Sequence, residues 1–386
     1  MKLAFFHDGP IYRDEQGNHH NGILNDDIID RYFYVADEFV SVTRIYEMKK
    51  TSDTTIIHHD HVRFRAIPNL NTLRGKLLDQ RKCRNIIDEE VKACDYVVAR
   101  VPSYAGSMAI ESAKKHRKPY LTEVVGCPWD SLWNYSWKGK LLAPSAYFSL
   151  KKTVKDAPYV IYVTNEFLQK RYPTRGKNCG CSNVQITQPE PSVFEKRQEK
   201  IKSSDSVLTI GTAAAVDVPY KGQRFILEAI ARLKQEGYPV QFRYELAGGG
   251  NQEPLKKVAQ ELGIEDRLVF KGGMAHKDVL LWMDTLDLYA QPSRQEGLPR
   301  ALIEAMSRGL PALGAKTGGI PELLMPEFIS RNDKNYLDDL CRILRSFDMP
   351  TMLAQSERNY EESKQYYIEY ISEKRKHMLD SVFRGK

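Results

Sequence analysis

Short apolar segments that alternate with amphipathic helical patterns constrain this chain more than any other feature. In the first half the segments with strand character are Lys2 to His7, Phe39 to Arg44, Tyr96 to Val101, Tyr120 to Val124 and Tyr159 to Val163. Helical patterns such as Ile86 to Ala93 and Ser107 to His116 lie between some of them. Regular alternation of this kind favours mostly parallel sheets covered by helices. We therefore predict an α/β fold.

The same alternation restarts after a break near residue 200. Pro189, Pro191 and the charged run from Glu195 to Lys202 mark this break and indicate an interdomain connection. Strand patterns then recur at Val207 to Gly211, Phe242 to Ala247, Leu268 to Lys271 and Leu286 to Ala290. With 386 residues the chain exceeds the size that one hydrophobic core usually supports. Two Rossmann-like domains in tandem are expected.

The predicted domain boundaries follow from this break. We expect a first domain over residues 1–190 and a second domain over residues 205–350. The last segment, residues 355–386, is rich in Tyr, Lys and Glu, reads as helix and offers no further strand to pair. It is therefore expected to cross the domain junction.

The N-terminus and the cysteines indicate the cellular compartment in which the protein is expected. The apolar run Leu3 to Phe6 is too short for a signal peptide, and no stretch approaches the ~20 apolar residues of a membrane span. The six cysteines lack CxxC spacing and are expected to be reduced thiols. For the tight pair Cys179 and Cys181 a structural loop is favoured over a zinc site, because no further ligands lie nearby in sequence. A cytoplasmic protein is expected.

The net charge of +7 arises entirely in the first half. Residues 1–200 hold 31 Lys and Arg against 24 Asp and Glu, whereas residues 201–386 hold 26 of each. The densest basic clusters are Arg74, Lys76, Arg81, Lys82 and Arg84, and Lys138, Lys140, Lys151, Lys152 and Lys155. Such clusters suit lipid headgroups, a diphosphate-linked acceptor or nucleic acid. The alternative is a solvated helix face.

Three loops that follow second-half strands carry residues suited to ligand binding. In open parallel sheets, ligands bind at the carboxyl ends of the strands. Lys221 precedes Gly222 and a predicted helix, so its ammonium group and the helix N-terminus both favour an anion such as a diphosphate. The glycine turns 248–250 and 272–273, the latter followed by Met274, would let backbone approach a flat base. A surface lysine and plain turns are the alternatives.

The longest ordered motif is the stretch Gln291 to Ala305. Pro299 fits the first turn of a helix and Gly309 its end. Glu296 therefore lies just ahead of the helix and Glu304 inside it. With helical geometry throughout, their Cα atoms would be on the order of 12 Å apart, too far for a carboxylate pair that shares one substrate atom. The spacing suits two groups that grip opposite parts of one extended ligand, with chance spacing as the alternative.

This ordered set resembles the retaining glycosyltransferases of family 4, among the glycosyl transferases group 1, which have the GT-B fold. The family signature, two glutamates separated by seven residues, is reproduced by Glu296 and Glu304. Lys221-Gly222 before a helix, the Gly-rich turns and the loop Thr317-Gly318-Gly319 follow the family's order. The match covers roughly residues 207–324. It implies two Rossmann-like domains that face each other across a cleft.

The resemblance also implies roles for individual residues. Lys221 would hold the diphosphate and Glu296 would orient the donor sugar, as the two catalytic residues, while Glu304 would bind the ribose hydroxyls. Further donor contacts would come from Gly297, Leu298, Pro299, Gly272, Met274, Gly248, Thr317 and Gly318. Fixed positive charge stabilises a leaving nucleoside diphosphate, so neither a metal nor another cofactor is expected.

Two stretches depart from the family pattern. Many members carry an Arg within a Gly-Arg-Leu run shortly before the Lys, whereas Gly211 to Asp217 contains no Arg. The first domain of the family often presents a His near the strand that here reads Val97 to Pro102, and no His occurs in that stretch. Gly9 and Arg100 are the candidates for the acceptor side. For Arg100 a structural ion pair is an equal alternative.

The implied activity is transfer of a sugar from a nucleoside diphosphate sugar, such as a UDP-sugar, to a glycan or lipid-linked acceptor with retention of configuration. Surface polysaccharide or glycoconjugate biosynthesis is the expected process. The alternatives are a GT-B-like epimerase, active without acceptor, a GT-B-like phosphorylase, dependent on inorganic phosphate, and a noncatalytic nucleotide-sugar-binding subunit, which binds donor without turnover. A dinucleotide dehydrogenase is disfavoured because no G-x-G-x-x-G follows a first strand.

Three tryptophans bear on where the protein works. Trp129, Trp133 and Trp137 are close in sequence to Lys138 and Lys140, and aromatic residues among cations suit a membrane interface. We therefore expect peripheral association with an anionic membrane, at the inner face of the cell membrane, and no nucleic-acid partner. Tryptophans in the core or stacked on sugars are the alternative.

Overall fold

The chain forms two compact units, each built around one parallel sheet. The computed structural model describes residues 1–20, 24–48, 56–184, 186–203 and 207–385. The first unit contains Met1–Leu132, Lys140–Cys181 and the chain from Ser372 onward. The second contains Trp133–Gly139 and Ser182–Ile371. Each unit therefore includes a segment that is remote in sequence from the rest of it.

The first half of the chain supplies the first sheet and the helices beside it. The strands are β1 Lys2–Arg13, β2 His19–His20, β3 Glu38–Glu47, β4 Val62–Ala66, β5 Tyr96–Val101, β6 Tyr120–Val124, β7 Tyr159–Tyr162 and β8 Lys177–Gly180. The helices are α1 Asp26–Phe33, α2 Gln80–Ala93, α3 Tyr104–His116, α4 Pro128–Tyr135, α5 Trp137–Lys155 and α6 Phe167–Arg171. A π-helical turn, Gly75–Asp79, leads directly into α2.

The first sheet has the order β4-β3-β1-β5-β6-β7-β8, and β2 pairs with β1. Only the β1–β2 pair is antiparallel among the described strands. Buried apolar side chains from these strands and from α2, α3 and α5 form one core. The order reverses direction between β1 and β5, and such a switch point is where ligands bind in open α/β sheets.

Strand β1 is longer than predicted. Asp8-Gly9-Pro10 was predicted as a turn, but β1 continues through it to Arg13. Its pairing with β3 shifts register between Phe6 and Pro10, as in a β-bulge. The Thr43 hydroxyl donates to the Gly9 carbonyl, and this bond satisfies a backbone group that the shift takes out of the ladder.

The second half of the chain supplies the second sheet. Its strands are β9 Val207–Ala213, β10 Gln241–Ala247, β11 Leu268–Gly272, β12 Leu288–Gln291, β13 Ala312–Ala315 and β14 Ile329–Ser330. The helices are α7 Pro191–Lys202, α8 Gln223–Gln235, α9 Glu253–Glu261, α10 His276–Thr285, α11 Arg300–Ser307, α12 Ile320–Leu323, α13 Tyr336–Arg345, α14 Met349–Ser363 and α15 Ile368–Phe383. Short 3₁₀ turns at Pro219–Lys221, Glu265–Arg267, Pro326–Phe328 and Lys364–Tyr366 connect some of them.

All described pairs of the second sheet are parallel, in the order β11-β10-β9-β12-β13-β14. The order reverses between β9 and β12, where Ile210 pairs with Leu288 and Gly211 with Tyr289. A Cβ at Gly211 would lie 2.1 Å from a methyl carbon of Leu286, so the glycine is needed inside the strand. The loops after β9 and β12 therefore meet at the switch point.

The predicted α/β fold with two parallel-sheet domains is confirmed. Strands β5 and β6 have the predicted bounds, whereas β4, β8, β13 and β14 were not predicted. The charged run predicted as a connection forms most of helix α7, and Arg197 from it is buried and donates to the backbone carbonyls of Leu286 and Met283. Residues 204–206, which follow this run, lie outside the described residues.

Among the described residues, no helix combines the length and the apolar character needed to cross a membrane.

Candidate functional site

The loop after β9 reaches the loop after β12 through a glycine. Pro219–Lys221 forms one 3₁₀ turn, and Gly222 follows with a left-handed φ of +79°. A Cβ at Gly222 would lie 2.1 Å from the carbonyl oxygen of Pro292. Only glycine tolerates both this φ and this approach. The contact places Lys221 beside the loop that carries Glu296.

Lys221 and Glu296 form an ion pair at the switch point. The Lys221 ammonium group donates to Oε1 of Glu296 at 2.8 Å, and both side chains are partly buried. The Gln291 side-chain amide donates to the same oxygen at 3.1 Å and to the Ser293 hydroxyl at 2.9 Å. The two predicted catalytic residues are thus in direct contact, and Gln291, which had no predicted role, orients one of them.

The loop Thr317-Gly318-Gly319 packs on the backbone of Glu296. The Gly319 N–H donates to the Gly297 carbonyl at 2.7 Å. Gly318 has φ +53°, and a Cβ on it would lie 2.2 Å from the Glu296 carbonyl oxygen. Thr317 is buried at the start of the loop. The predicted donor-binding residues of this loop therefore lie beside the Lys221–Glu296 pair.

Glu304 lies in the second turn of α11 and is 4% exposed. Its Oε1 is 2.8 Å from Nε2 of His276, the first residue of α10. The helix begins at Arg300, with Pro299 as the residue before it and a partly buried Leu298 ahead of that. His276 was not predicted, although its place just after the glycine turn 272–273 was a usable signal.

The charges of both glutamates affect the pKa of one buried tyrosine, Tyr289. The Tyr289 hydroxyl is 3.2 Å from Oε1 of Gln291 and accepts the Ala213 N–H at 3.3 Å. Burial raises the pKa of Tyr289, and the negative charges of Glu304 and Glu296 raise it further. Glu296 and Glu304 therefore both lie near Tyr289 of β12.

Gly248 joins the ends of three strands. Its N–H donates to the Gly272 carbonyl at 2.8 Å, and a Cβ on it would lie 2.0 Å from the Ala214 carbonyl oxygen. Gly272 has φ +73°, and no described atom lies within 4 Å of a Cβ built on it. Met274, which follows, is partly buried. Gly248 thus has a packing role, whereas Gly272 borders open space.

Two helix N-termini point into these loops without a side-chain cap. Gly222 precedes α8 and Pro299 precedes α11, and neither residue has a side chain that can accept a hydrogen bond. Uncapped N–H groups and the helix dipole favour an anion at each N-terminus. Together with Lys221 they supply positive groups at this edge of the sheet, beside the carboxylates of Glu296 and Glu304.

Arg294 is a further cation in the β12 loop. The backbone N–H of Arg294 donates to the Tyr220 carbonyl at 2.7 Å, and the backbone carbonyl of Arg294 accepts the Asn134 side-chain amide at 3.0 Å. The guanidinium carbon lies 4.1 Å from the ring centre of Phe225, as in a cation–π contact. This arginine was not singled out from the sequence, because its role depends on a ring 69 residues earlier in the chain.

The predicted acceptor-side residues lie in the first unit. Arg100 is 5% exposed and donates to Oε2 of Glu123 from Nε at 3.1 Å and from a terminal nitrogen at 2.9 Å. Of the two alternatives for Arg100, the structure shows the ion pair, and the pair leaves little of its side chain for a substrate. Gly9 lies in the irregular part of β1, next to the switch point between β1 and β5.

A histidine near Arg100 comes from the neighbouring strand. Phe6 is in register with Ala99, so His7 lies level with Arg100, just after the part of β1 that pairs with β5. Its Nδ1 accepts the Gly9 N–H at 2.8 Å. Burial, and then the positive charge of Arg100, lower the pKa of His7 to about 3. His7 was missed because the histidine was expected on the strand of residues 97–102.

The three tryptophans differ in environment. Trp129 packs against the first core and meets the Tyr147 ring edge-on, with ring centres 6.0 Å apart. Trp133 and Trp137 are exposed, and the Lys138 ammonium group lies 5.6 Å from a Trp137 ring centre. Only the latter two are thus available at the surface.

The cysteines are all free thiols, and Cys179 lies in the edge strand β8. Burial raises the pKa of the Cys179 thiol to about 11. Within the described ranges, no group of three or more His, Cys, Asp or Glu side chains is placed to hold a metal ion.

Comparison with known proteins places the site in a family context. Residues 194–349 match the family model described as glycosyl transferases group 1. The chain is 31% identical over 334 residues to protein CapJ of Staphylococcus aureus. The aligned region covers 85% of this chain and 82% of CapJ. It is 35% identical over 190 residues, 45% of each chain, to the amylovoran biosynthesis glycosyltransferase AmsK of Erwinia amylovora.

The fold has solved counterparts. The structure of HepE from Anabaena in complex with UDP-glucose superposes with a TM-score of 0.63 at 18% identity, over 99% of this chain and all of that one. At this level of identity the likeness concerns the fold. The predicted GT-B fold class is confirmed.

Proposed function

The chain belongs to the group 1 glycosyltransferases, and from this premise we propose that it transfers a sugar from a nucleoside diphosphate sugar to a glycan or lipid-linked acceptor with retention of configuration. The contact between Lys221 and Glu296 carries the proposal. It joins a cation for the diphosphate to a carboxylate for the sugar at the switch point of the second sheet. The UDP-glucose in the HepE structure supports a UDP-sugar as the donor.

The diphosphate would lie against Lys221. One ammonium N–H is engaged by Glu296, which leaves two donors for phosphate oxygens. The uncapped N-termini of α8 and α11 add backbone donors for the same charge. When the donor breaks, negative charge grows on the diphosphate, and preorganised positive groups stabilise that state.

Glu304 would hold the other end of the donor. A buried carboxylate is a strong acceptor for the two hydroxyls of a ribose, and burial keeps water from competing. His276 touches Oε1 of this carboxylate, and its side chain is otherwise exposed. We propose that His276 holds Glu304 in place while the second carboxylate oxygen binds the ribose.

The reaction balances without a protein base. The bond from the anomeric carbon to the diphosphate oxygen breaks, and a bond from the same carbon to the acceptor oxygen forms on the same face. The acceptor hydroxyl proton passes to the departing diphosphate oxygen. Glu296 would orient the sugar and would not be consumed in either step. Retention thus follows from front-face departure and attack.

Replacing Glu304 by Ala tests the donor site. Hydrogen bonds to a charged group contribute about 1.5–3 kcal/mol each, so we expect the donor KM to rise about 10- to 100-fold. The measurement is initial-rate kinetics over donor concentration, with a melting curve to verify folding. The control is Glu261→Ala, an exposed carboxylate in the same unit, which should leave the donor KM unchanged.

Unchanged donor kinetics in the Glu304→Ala variant would refute this assignment. Thermal-shift measurements with UDP, GDP, ADP and their common sugar conjugates would identify the nucleotide. In the same assays, turnover without acceptor would indicate an epimerase, dependence on inorganic phosphate a phosphorylase, and donor binding without turnover a noncatalytic subunit.

We propose that transfer needs no metal ion, because Lys221 and the helix N-termini supply the positive charge. Excess EDTA should leave the rate within about twofold of the untreated enzyme, since a metal that carried the leaving-group charge would contribute several kcal/mol. Loss of activity in EDTA that returns with added Mg²⁺ or Mn²⁺ would contradict this.

The proposed process is surface polysaccharide or glycoconjugate biosynthesis. The likeness of the chain to the amylovoran biosynthesis glycosyltransferase supports this proposal. The proposed location is the cytoplasmic face of the cell membrane, where a lipid-linked acceptor would be presented. The basic first half of the chain suits such a place.

A further inference from the structure

Three leucines of the first unit are exposed on one short segment. Leu73, Leu77 and Leu78 are 76%, 74% and 69% exposed, and all lie within six residues of one another. They belong to the π-helical turn Gly75–Asp79 and the residues just before it. Single exposed leucines are common on proteins, but a contiguous exposed group marks an interaction surface.

The backbone of this segment is firmly held. Gly75 is buried, and a Cβ on it would lie 2.0 Å from the Asn69 carbonyl oxygen. The Thr72 hydroxyl accepts the Gly75 N–H at 3.1 Å, and the Thr72 carbonyl accepts the Lys76 N–H at 3.0 Å. The leucines are therefore presented outward by an anchored turn.

Unpaired basic residues surround the leucines. Residues 71–85 contain five basic side chains and one acidic side chain, Asp79. Arg84 pairs with Glu111, but Arg74, Lys76, Arg81 and Lys82 have no carboxylate partner among the described residues. The Lys76 ammonium group lies 5.0 Å from the ring centre of Tyr104, a contact that does not neutralise its charge. Four positive charges without a carboxylate partner can thus meet an external anion. We call these four residues and the three leucines the leucine surface.

A groove adjoins the leucine surface. It has a volume of about 660 Å³ and lies between the end of β4 and helix α2. Its lining includes Arg65, Leu78, Arg81, Lys82, Asn85 and Glu89. Arg65 and Glu89 are 3.5 Å apart, so they offset each other and leave Arg81 and Lys82 as the uncompensated charges. A phosphate-bearing headgroup fits this charge.

We propose that the leucine surface docks the chain on an anionic phospholipid membrane. The leucines enter the boundary between headgroups and acyl chains, and the groove receives a lipid phosphate between Arg81 and Lys82. Aliphatic side chains gain free energy in that boundary, whereas single-stranded nucleic acid is bound through aromatic stacking, which leucines do not provide. Charge complementarity and the aliphatic tip together select the membrane.

This inference rests on the part of the proposed function that places the chain at a membrane. It assigns that contact to the leucine surface, and not to the exposed tryptophans Trp133 and Trp137. A basic residue near an anionic membrane strengthens binding about fivefold, so removing four should weaken it on the order of 100-fold or more. Each leucine lost should cost roughly threefold to tenfold.

The test is sedimentation of the full chain with vesicles of phosphatidylcholine containing about one third phosphatidylglycerol, at low salt. One variant replaces Arg74, Lys76, Arg81 and Lys82 by Gln, and a second replaces the three leucines by Ser. The matched control replaces four exposed lysines of the second unit by Gln: Lys196, Lys202, Lys257 and Lys334.

We expect the wild type and the control to sediment with anionic vesicles and both leucine-surface variants to stay in the supernatant. Binding that is equal for the charge variant and its control, or that needs no anionic lipid, would overturn the proposal. Donor turnover is measured in parallel with a water-soluble acceptor. A chain that transfers sugar but does not sediment refutes the docking surface alone, and one that sediments without turnover refutes the transferase alone.

Discussion

At the scale of single residues, the candidate site consists of polar side chains that are paired with one another and shielded from water. Lys221 and Glu296 are partly buried, and Glu304 is almost fully so. Charges in such places interact more strongly than at the surface, because water screens them less. A ligand that replaces part of a pair therefore meets groups that are already oriented.

Replacing Lys221 by Met should lower kcat far more than it raises the donor KM. Loss of one donor to a developing anion typically lowers kcat about 100- to 1000-fold. Steady-state kinetics would show this, and Lys221→Arg should restore part of the rate because it keeps the charge. The control is Lys256→Met, since Lys256 forms an exposed pair with Glu253. A full rate in the Lys221→Met variant would remove the lysine from the mechanism.

His7 should make stability fall on mild acidification. Its pKa is lowered from 6.5 to about 3 in the folded chain, chiefly by burial and then by Arg100, with Glu123 opposing. Between pH 6.5 and 3 the unfolded chain thus binds a proton that the folded chain does not, and stability falls as pH falls. The slope is about 1.4 kcal/mol per pH unit, or about 2 kcal/mol between pH 7 and 5.

Urea titrations at pH 7, 6 and 5 measure this slope. His7→Asn should flatten it, whereas His377→Asn, at an exposed position, should not. Glu123 contributes little between pH 7 and 5, because its ordinary pKa of 4.5 already lies below pH 5. In the folded chain burial raises this pKa, but the positive charges of Arg100 and Arg375 outweigh burial and lower it to about 2. Equal slopes in the two variants would show that His7 is not the titrating group.

At the scale of elements, three loops are brought together by glycines that no other residue can replace. The loop before α8 meets the β12 loop where Gly222 touches the Pro292 carbonyl, and the loop after β13 meets it where Gly318 touches the Glu296 carbonyl. Each contact combines a positive φ with an approach closer than any Cβ allows. The loop geometry, and with it the position of Lys221, depends on these two points.

Gly222→Ala should therefore impair transfer as well as stability. A left-handed φ costs a non-glycine residue roughly 1–2 kcal/mol, and the Cβ would in addition push the loop off Pro292. Gly263→Ala is the first control, because its φ is +65° and no described atom lies within 4 Å of the added Cβ.

Gly126→Ala is the second control, since among the described residues nothing lies within 4 Å of a Cβ there and its φ is not positive. Melting temperature and kcat are measured for all three variants. We expect Gly263→Ala to lose stability only, Gly126→Ala to be close to wild type, and Gly222→Ala to lose at least tenfold in kcat. Equal kcat values for the Gly222 and Gly263 variants would disprove the role of the contact.

At the scale of the whole molecule, the last helix completes the first unit. Arg375 of α15 donates to Oε1 of Glu123 at 2.8 Å, and the Tyr32 hydroxyl donates to the same oxygen at 2.6 Å. With Arg100 on the other oxygen, two guanidinium groups share one buried carboxylate. The end of the chain is thereby tied to the sheet that its beginning forms.

Glu123→Gln should destabilise the protein strongly. Removing one partner of a buried ion pair typically costs about 3–5 kcal/mol, because the remaining charges stay buried without compensation. Chemical denaturation would measure the loss. Glu111→Gln is the matched control, since the Glu111–Arg84 pair is exposed and such pairs contribute at most about 1 kcal/mol. Similar losses in both variants would contradict the account.

The sequence by itself determined the features that depend on neighbouring residues. Strand and helix patterns are local, so the α/β class and most second-half elements could be predicted from them. The stretch Gln291 to Ala305 is contiguous, so Glu296, Glu304 and the helix start between them could be placed, and the likeness to a family of glycosyltransferases could be stated. Strands as short as β13 and β14 carry too few residues for a pattern.

Only the tertiary structure decided which remote residues meet. Lys221 and Glu296 are 75 positions apart, His276 and Glu304 are 28 apart, and Glu123 and Arg375 are 252 apart. The order of strands in a sheet brings such residues together, and that order reflects burial summed over a whole core, with no single residue encoding it. For the same reason His7 and Arg294 acquired their surroundings only in the folded chain.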